Sequence, residues 1–334
     1  MPGVTVHDIT STFGPKPVRY ALGLRKVKRI LGDLKPDLLH THFLTGYGYW
    51  GVFSGWRPFM LTVWGDDVYV TPFESPVKKW LARKALAAAD YTTGDSVDIV
   101  DACVALGAPA DKVEVVQWGV DFTRFHPEVS GTRVREKLGI PANAPVVLST
   151  RSFTQPYYNI DQVIDTAPRV RERFPDVHYI IAGNEGEDAE FRARAAGVGL
   201  NDQVHWVGRI PHGELQEWVA ASDVFLTIPS VDATAVSLLE AMASGSAIVA
   251  TDLPSAVEWI RDGETGLSIA PRDADGLTGA IVRFLEDPAL GDRCGAAAVK
   301  VVRAKADHDR NMARVEDIYY DLVAGKTPVR RPAS

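Results

Sequence analysis

The sequence predicts an α/β protein built from two domains with parallel sheets, and three observations carry that reading. Short apolar runs alternate with helical patterns along nearly the whole chain, which is the habit of parallel strands joined by crossover helices. At 334 residues the chain is longer than one ordinary core requires. The alternation is interrupted once, around Trp118–Pro145, by an irregular, Pro-containing segment.

In the first half, strands are expected at Asp37–His40, Phe59–Val63, Tyr91–Thr93 and Val113–Gln117, with helices at Val18–Leu34, Ser75–Ala89 and Ser96–Leu106 between them. In the second half, strands are expected at Val146–Thr150, His178–Ala182, Val204–Val207, Val224–Thr227, Ala247–Ala250 and Leu267–Ile269. Helices at Ile160–Phe174, Gly213–Ala220 and Ala235–Ala243 separate several of them. Phe122–Ser130 with Pro127, a short helix at Arg133–Leu138 and a Pro-flanked loop read as the linker. The expected domains are therefore 1–128, with 307–324 packing back on it, and 129–306. The Pro- and Arg-rich tail 325–334 reads as disordered.

Composition is that of a globular protein, 46% hydrophobic and 24% charged, and no apolar run is long enough to cross a bilayer. The opening MPGVTVHDIT lacks the basic and apolar regions of a signal peptide. Cys103 and Cys294 stand far apart, which suits a reducing cytoplasm better than a disulfide framework. The net charge of −7 arises after Glu128, and nothing in the charge pattern points to nucleic acid. Arg19, Arg25, Lys26, Lys28 and Arg29 alternate with Leu22, Leu24, Val27, Ile30 and Leu31 in a basic amphipathic helix. A solvated face explains it; the sharper reading is contact with an anionic membrane surface or a phosphorylated acceptor, and so a peripheral location at the membrane.

The chemistry concentrates in Val224–Asp252. A buried strand ends at Ile228, a Pro-Ser loop follows, and a helix runs from about Ala235 to Gly245. Ligands of open parallel sheets bind beyond the carboxyl ends of strands, and a helix starting there offers free amides and a positive dipole end to a diphosphate. Ala233, Thr234, Ala235, Val236 and Ser237 line that start with small or modest side chains. Asp232 and Glu240 frame it, with about 7.5 Å of helix rise from Ala235 to Glu240. That spacing suits one acid near a transferred sugar and one near a ribose diol. The alternatives are a capping role for Asp232 and an exposed helix position for Glu240.

Pro229-Ser230, Asp232, seven residues, Glu240 and Ala241-Met242-Ala243-Ser244-Gly245 resemble the signature of the retaining glycosyltransferases of family 4. There the first acid is usually Glu, and Gly-Phe-Gly stands where this chain has Ala233-Thr234-Ala235. Gln117-Trp118-Gly119-Val120-Asp121 with Phe125 and Pro127, Ala182-Gly183-Asn184-Glu185-Gly186, Val207-Gly208-Arg209-Ile210 and Ser222-Asp223-Val224-Phe225 are similar, in order, to the family's interdomain segment, its glycine turn, its base-lining loop and its lead into the signature. The resemblance implies the GT-B fold, two Rossmann-like domains with parallel sheets facing a cleft. It implies transfer from a nucleoside-diphosphate sugar to an acceptor hydroxyl with retention, without a dissociable metal or other cofactor, in glycan, glycolipid or glycoconjugate synthesis. Arg151 is the family's diphosphate-gripping arginine by position; Tyr158 stands nearest to where the family has a lysine. Catalytic roles fall on Arg151, Asp232 and Glu240. Donor contacts fall on Tyr158, Asn184, Gly208, Arg209, Ile210 and residues 233–237.

In the first half, His40 and His42 share one strand face. His42, Trp64 (where many members carry a sugar-contacting histidine) and Asp67 are the acceptor-side candidates; Asp66 or Asp67 could bind an acceptor hydroxyl or equally cap the next segment, and the aromatic, glycine-rich Thr45–Trp50 suits either an acceptor or a core. The Asp-x-Asp triplets at 273–275 and 307–309 read as helix caps rather than metal sites. No Gly-x-Gly-x-x-Gly joins a strand to a helix, which argues against a dinucleotide dehydrogenase. A non-catalytic sugar-nucleotide-binding subunit or truncated homologue is the alternative, as is another GT-B enzyme such as an epimerase. Family members open with a strand, a glycine-rich loop and a helix before the Pro-Asp-x-x-His strand; this chain reaches that strand by Asp37, so the first unit is expected to be missing.

Overall fold

The computed structural model describes residues 3–9, 15–184, 188–200 and 202–331. The chain divides into Met1–Val116 with Met312–Ala333, and Gln117–Asn311. The first unit contains α1 (Lys16–Leu34), β1 (Leu39–His42), α2 (Tyr47–Ser54), β2 (Phe59–Thr62), α3 (Asp66–Tyr69), α4 (Pro76–Ala88), β3 (Tyr91–Gly94), α5 (Val97–Leu106) and β4 (Val113–Val115). Its strands pair in parallel in the order β1-β2-β3-β4. β2 and β3 are buried at every position, as helices on both faces require. The second unit contains α6 (Thr132–Leu138), β5 (Val146–Ser149), α7 (Ile160–Arg173), β6 (His178–Ala182), α8 (Ala189–Gly197), β7 (Val204–Gly208), α9 (Leu215–Ala220), β8 (Val224–Thr227), α10 (Val236–Ala243), β9 (Ile248–Thr251), α11 (Pro254–Val257), β10 (Leu267–Ile269), α12 (Ala274–Glu286) and α13 (Pro288–Lys305). Its six strands are parallel in the order β10-β9-β8-β5-β6-β7. One core cluster holds Ile164, Ile181 and Leu226, the other Leu148, Phe225 and Leu239, so neighbouring residues of one strand feed different clusters.

The last helix, α14 (His308–Val323), sets Ile318 and Leu322 against Met60, Tyr91 and Val116. Arg314 forms a buried two-point pair with Glu114, Nε to Oε1 at 2.8 Å and Nη2 to Oε2 at 2.5 Å. The Tyr91 hydroxyl donates to the same carboxylate at 2.6 Å. Arg314 Nη2 has a second proton to place, and the Val329 carbonyl accepts it at 2.7 Å. Arg331 pairs with Asp317 at 2.8 Å. Residues 325–331, expected to be disordered, therefore run against α14 with defined partners.

The division at Val116 and Gln117 precedes the expected 128/129 boundary because the intervening segment is built into the second unit. Val120 N–H donates to the Ala306 carbonyl at 2.8 Å, and Phe125 is buried in the second core cluster. Gly119 takes φ 75° with a would-be Cβ 2.6 Å from His308 Cα, so no side chain fits. The aromatic stretch from Thr45 leads into a helix, α2. Gly48 approaches the Phe43 carbonyl and Gly51 the Phe59 ring, so its glycines serve close packing. The apolar stripe of α1 meets α2, with Gly23 against the Trp50 ring, while Arg19, Arg25, Lys26, Lys28 and Arg29 are exposed. Among the described residues no helix is long and apolar enough to cross a membrane. Cys103 and Cys294 are free and buried.

Candidate functional site

The strand order of the second unit reverses beside β5: β6 and β7 lie to one side, and β8, β9 and β10 to the other. A crevice opens outside the carboxyl ends of strands at such a switch point, because the connections leave it in opposite directions. β5 delivers Arg151 there, and β8 delivers the 228–235 loop and α10.

Arg151 Nη2 donates to Thr227 Oγ1 at 2.8 Å and to Asp232 Oδ2 at 2.6 Å. Both side chains of the ion pair are largely buried, 11% and 17% exposed. The guanidinium lies 5.2 Å from the Tyr158 ring centroid, a cation–π contact. Arg151 Nε and the neighbouring Thr150 Oγ1 are buried without a hydrogen-bond partner among the described residues. Such orphaned donors are uncommon and call for an explanation. Asp232 is thus no helix cap: the N-cap of α10 is Ala235, and Asp232 is held by Arg151.

The loop that carries Asp232 is tied down at several points. Ser230 N–H donates to the Tyr157 carbonyl at 2.7 Å. Asn159 Nδ2 reaches the Ile228 carbonyl at 2.7 Å and Ser230 Oγ at 2.8 Å. Thr251 Oγ1 donates to the Pro229 carbonyl at 2.6 Å, and Ser255 Oγ to the Asp232 carbonyl at 3.0 Å. Thr234 Oγ1 accepts from Gln117 Nε2 at 3.4 Å and Trp259 Nε1 at 3.3 Å, so its hydroxyl serves the loop. Asn159 stands in the left-handed region, φ 57°, and its Oδ1 accepts from Arg272 Nη1 at 3.1 Å. Sequence reasoning missed Asn159, Thr251, Ser255, Trp259 and Arg272, which lie on other elements. The one available signal was an Asn, a tolerated left-handed residue, immediately before the α7 helix.

α10 starts without a side-chain cap. The amides of Val236 and Ser237, in its first turn, have no intrahelical acceptor and belong to the positive end of the helix. Glu240 is not an exposed helix residue: its side chain is 5% exposed, and Oε1 lies 2.8 Å from His212 Nε2. Burial pushes its pKa up, opposed first by the hydrogen bond from His212. At the ends of β6 and β7, Asn184 Nδ2 donates to Ser152 Oγ at 3.3 Å and Gly183 N–H to the Gly208 carbonyl at 3.0 Å. Gly208 takes φ 64°, Arg209 is exposed and Ile210 packs on the core. Glu185 and Gly186 lie outside the described residues.

In the first unit the acceptor-side candidates separate. Asp67 is fully buried, and its carboxylate accepts from the amides of Leu44 at 2.6 Å, Gly65 at 2.8 Å and Trp64 at 3.0 Å. It fixes the turn after β2, so of the two readings of Asp67 the local, backbone-holding one is the one its contacts match. His42 is half-buried with its ring 4.2 Å from His40 and 5.8 Å from Trp64; burial lowers its pKa. His40 bonds Tyr319 Oη at 2.7 Å and Thr62 Oγ1 at 2.8 Å, and burial, then His42, lowers its pKa to about 3. Asp273 and Asp307 each accept the amide three residues on, at 2.8 and 2.9 Å, as caps do. Among the described residues no three His, Cys, Asp or Glu side chains are grouped to hold a metal.

Residues 131–301 match the family model described as glycosyl transferases group 1, and residues 1–96 match glycosyl transferase 4-like. The chain belongs to the glycosyl transferases group 1 family. It is 29% identical over 288 residues to the phosphatidyl-myo-inositol mannosyltransferase of Mycobacterium leprae, covering 83% of this chain and 72% of that one. It is 25% identical over 318 residues to the D-inositol 3-phosphate glycosyltransferase of Streptomyces bingchenggensis, covering 88% and 68%. Among solved structures, sucrose-phosphate synthase from Thermosynechococcus elongatus superposes with a TM-score of 0.80 at 20% identity, covering 94% of this chain and 82% of that chain. Anabaena Alr3699/HepE in complex with UDP-glucose gives 0.79 at 19%, covering 90% and 82%. These likenesses show the GT-B fold.

Proposed function

We propose that the chain transfers a sugar from a nucleoside-diphosphate donor to an acceptor hydroxyl, with the donor bound at the β5/β8 switch point. The observation that carries this reading is the convergence there of Arg151, with its unpartnered buried Nε, the uncapped start of α10 and the buried Glu240. A diphosphate supplies acceptors for the first two, and a ribose diol supplies donors for the third. Arg151 then grips the diphosphate and stabilises the leaving charge. Ala233–Ser237 bring backbone to phosphate and sugar, Asp232 takes sugar hydroxyls, and Glu240 takes the ribose. Asn184, Gly208, Arg209 and Ile210 face the nucleoside side, while His42 and Trp64 stay on the acceptor side. Transfer proceeds with retention and without a metal, as the family resemblance implies. The acceptor is a glycan, a lipid-linked sugar or a small polyol such as the inositol phosphates named for the relatives. The exposed basic face of α1 suits an anionic or membrane-borne acceptor.

Tyr158 at the lysine position and the Arg151–Asp232 pair favour a second reading, a sugar-nucleotide-binding protein without transfer. The experiment is to incubate the chain with a panel of nucleotide sugars, with and without candidate polyol acceptors, and to follow nucleoside-diphosphate release and product stereochemistry. Transfer with retained configuration that persists in EDTA supports the proposal. Activity abolished by EDTA and restored by manganese would contradict the metal-free part, and binding without turnover would favour the second reading.

A further inference from the structure

Glu240 is placed by a second residue that sequence reasoning did not find. Arg124 Nη1 lies 3.1 Å from His212 Nδ1. A guanidinium only donates, so Nδ1 must present its lone pair and the ring proton must sit on Nε2. That proton points at Glu240 Oε1, 2.8 Å away. Arg124 Nη2 also donates to the His212 carbonyl and, at 3.4 Å, to Gln216 Oε1, which holds the 211–216 turn and the imidazole together. The Phe125 ring stands 6.0 Å from the His212 ring.

We propose that His212 is the positioning residue for the nucleotide site: in its Arg124-imposed Nε2–H form it orients the Glu240 carboxylate on α10, so that the remaining carboxylate lone pairs meet the ribose. The inference rests on the donor-site reading above. Glu240 sits on a buried face, where α13 contributes Ala298 and Val302 to the same core cluster as Leu238, Leu239 and Ala241. The polar groups facing it are the His212 imidazole and, behind that ring, the Arg124 guanidinium. A carboxylate in such surroundings protonates more readily once its donor is removed, and a protonated carboxyl loses the acceptor pair that a diol needs.

The test is calorimetric titration of UDP and GDP into the wild-type chain, His212→Ala and His212→Gln between pH 5.5 and 8. The glutamine amide can donate near the position of Nε2 but does not titrate. At pH 8 His212→Ala is expected to bind about tenfold more weakly, the loss of one charge-assisted hydrogen bond. Its affinity should fall further as pH drops, while wild type and His212→Gln stay flat to lower pH. Imidazole 15N spectra of the ligand-free wild type should show the Nε2–H tautomer for His212. Equal affinities and pH profiles for wild type and His212→Ala, or equal losses in both variants, would overturn the inference alone. A wild-type chain that binds no nucleoside diphosphate would sink the donor-site reading and this inference with it.

Discussion

In the first unit, several buried polar side chains are spent on one another. His40 is shared between Tyr319 and Thr62, whose hydroxyl meets Thr93 at 2.6 Å. Asp67 takes three amides, and Glu114 takes Arg314 and Tyr91. In the second unit the groups at the switch point are oriented but not used up. Arg151 keeps an unpartnered Nε among the described residues, and Glu240 is held through one oxygen by His212. Burial and charge alone do not separate scaffold from site, since Asp67 and Glu240 are both buried carboxylates. The difference lies in whether the hydrogen-bonding capacity of the group is satisfied from inside the protein.

The largest effect should come from breaking a scaffold pair. Arg314→Ala leaves the buried Glu114 without its charge partner, held among the described residues only by the Tyr91 hydroxyl, and is expected to cost about 3–5 kcal/mol of stability, read from urea unfolding. Nucleoside-diphosphate affinity of the folded variant should be unchanged; a matching loss of affinity would erase the contrast between the units. Arg151→Ala should do the reverse. It is expected to lower turnover about 10²–10³-fold, or about 2.7–4 kcal/mol, because leaving-group charge peaks in the transition state. A steady-state comparison with wild type would weaken the assignment if kcat held and only stability fell.

Much of this was legible in the sequence. The strands of both sheets lie within two residues of their expected limits; β5, β8 and β9 are buried, largely apolar runs between turn signals. The helix expected at Ala235–Ala243 is α10, Val236–Ala243. What escaped depends on tertiary contact. Arg151 and Asp232 are distant in sequence, and nothing local says that they pair. The helix Tyr47–Ser54 contains Gly48 and Gly51, which disfavour helix but are required where the Phe43 carbonyl and the Phe59 ring press against it. Asp67 stands after Gly65-Asp66 and reads as an acceptor contact or a cap until Leu44 is folded over it. His212 sits in a turn without periodicity, and only the proximity of Arg124 fixes its tautomer.

The claim that the second unit binds the donor through Glu240 is tested most directly by calorimetry with the cognate nucleoside diphosphate on wild type and Glu240→Ala. The account predicts a folded variant with affinity lower by about 1.5–3 kcal/mol, the loss of a charged hydrogen-bond acceptor. Equal affinity of the two proteins for the nucleotide would contradict it.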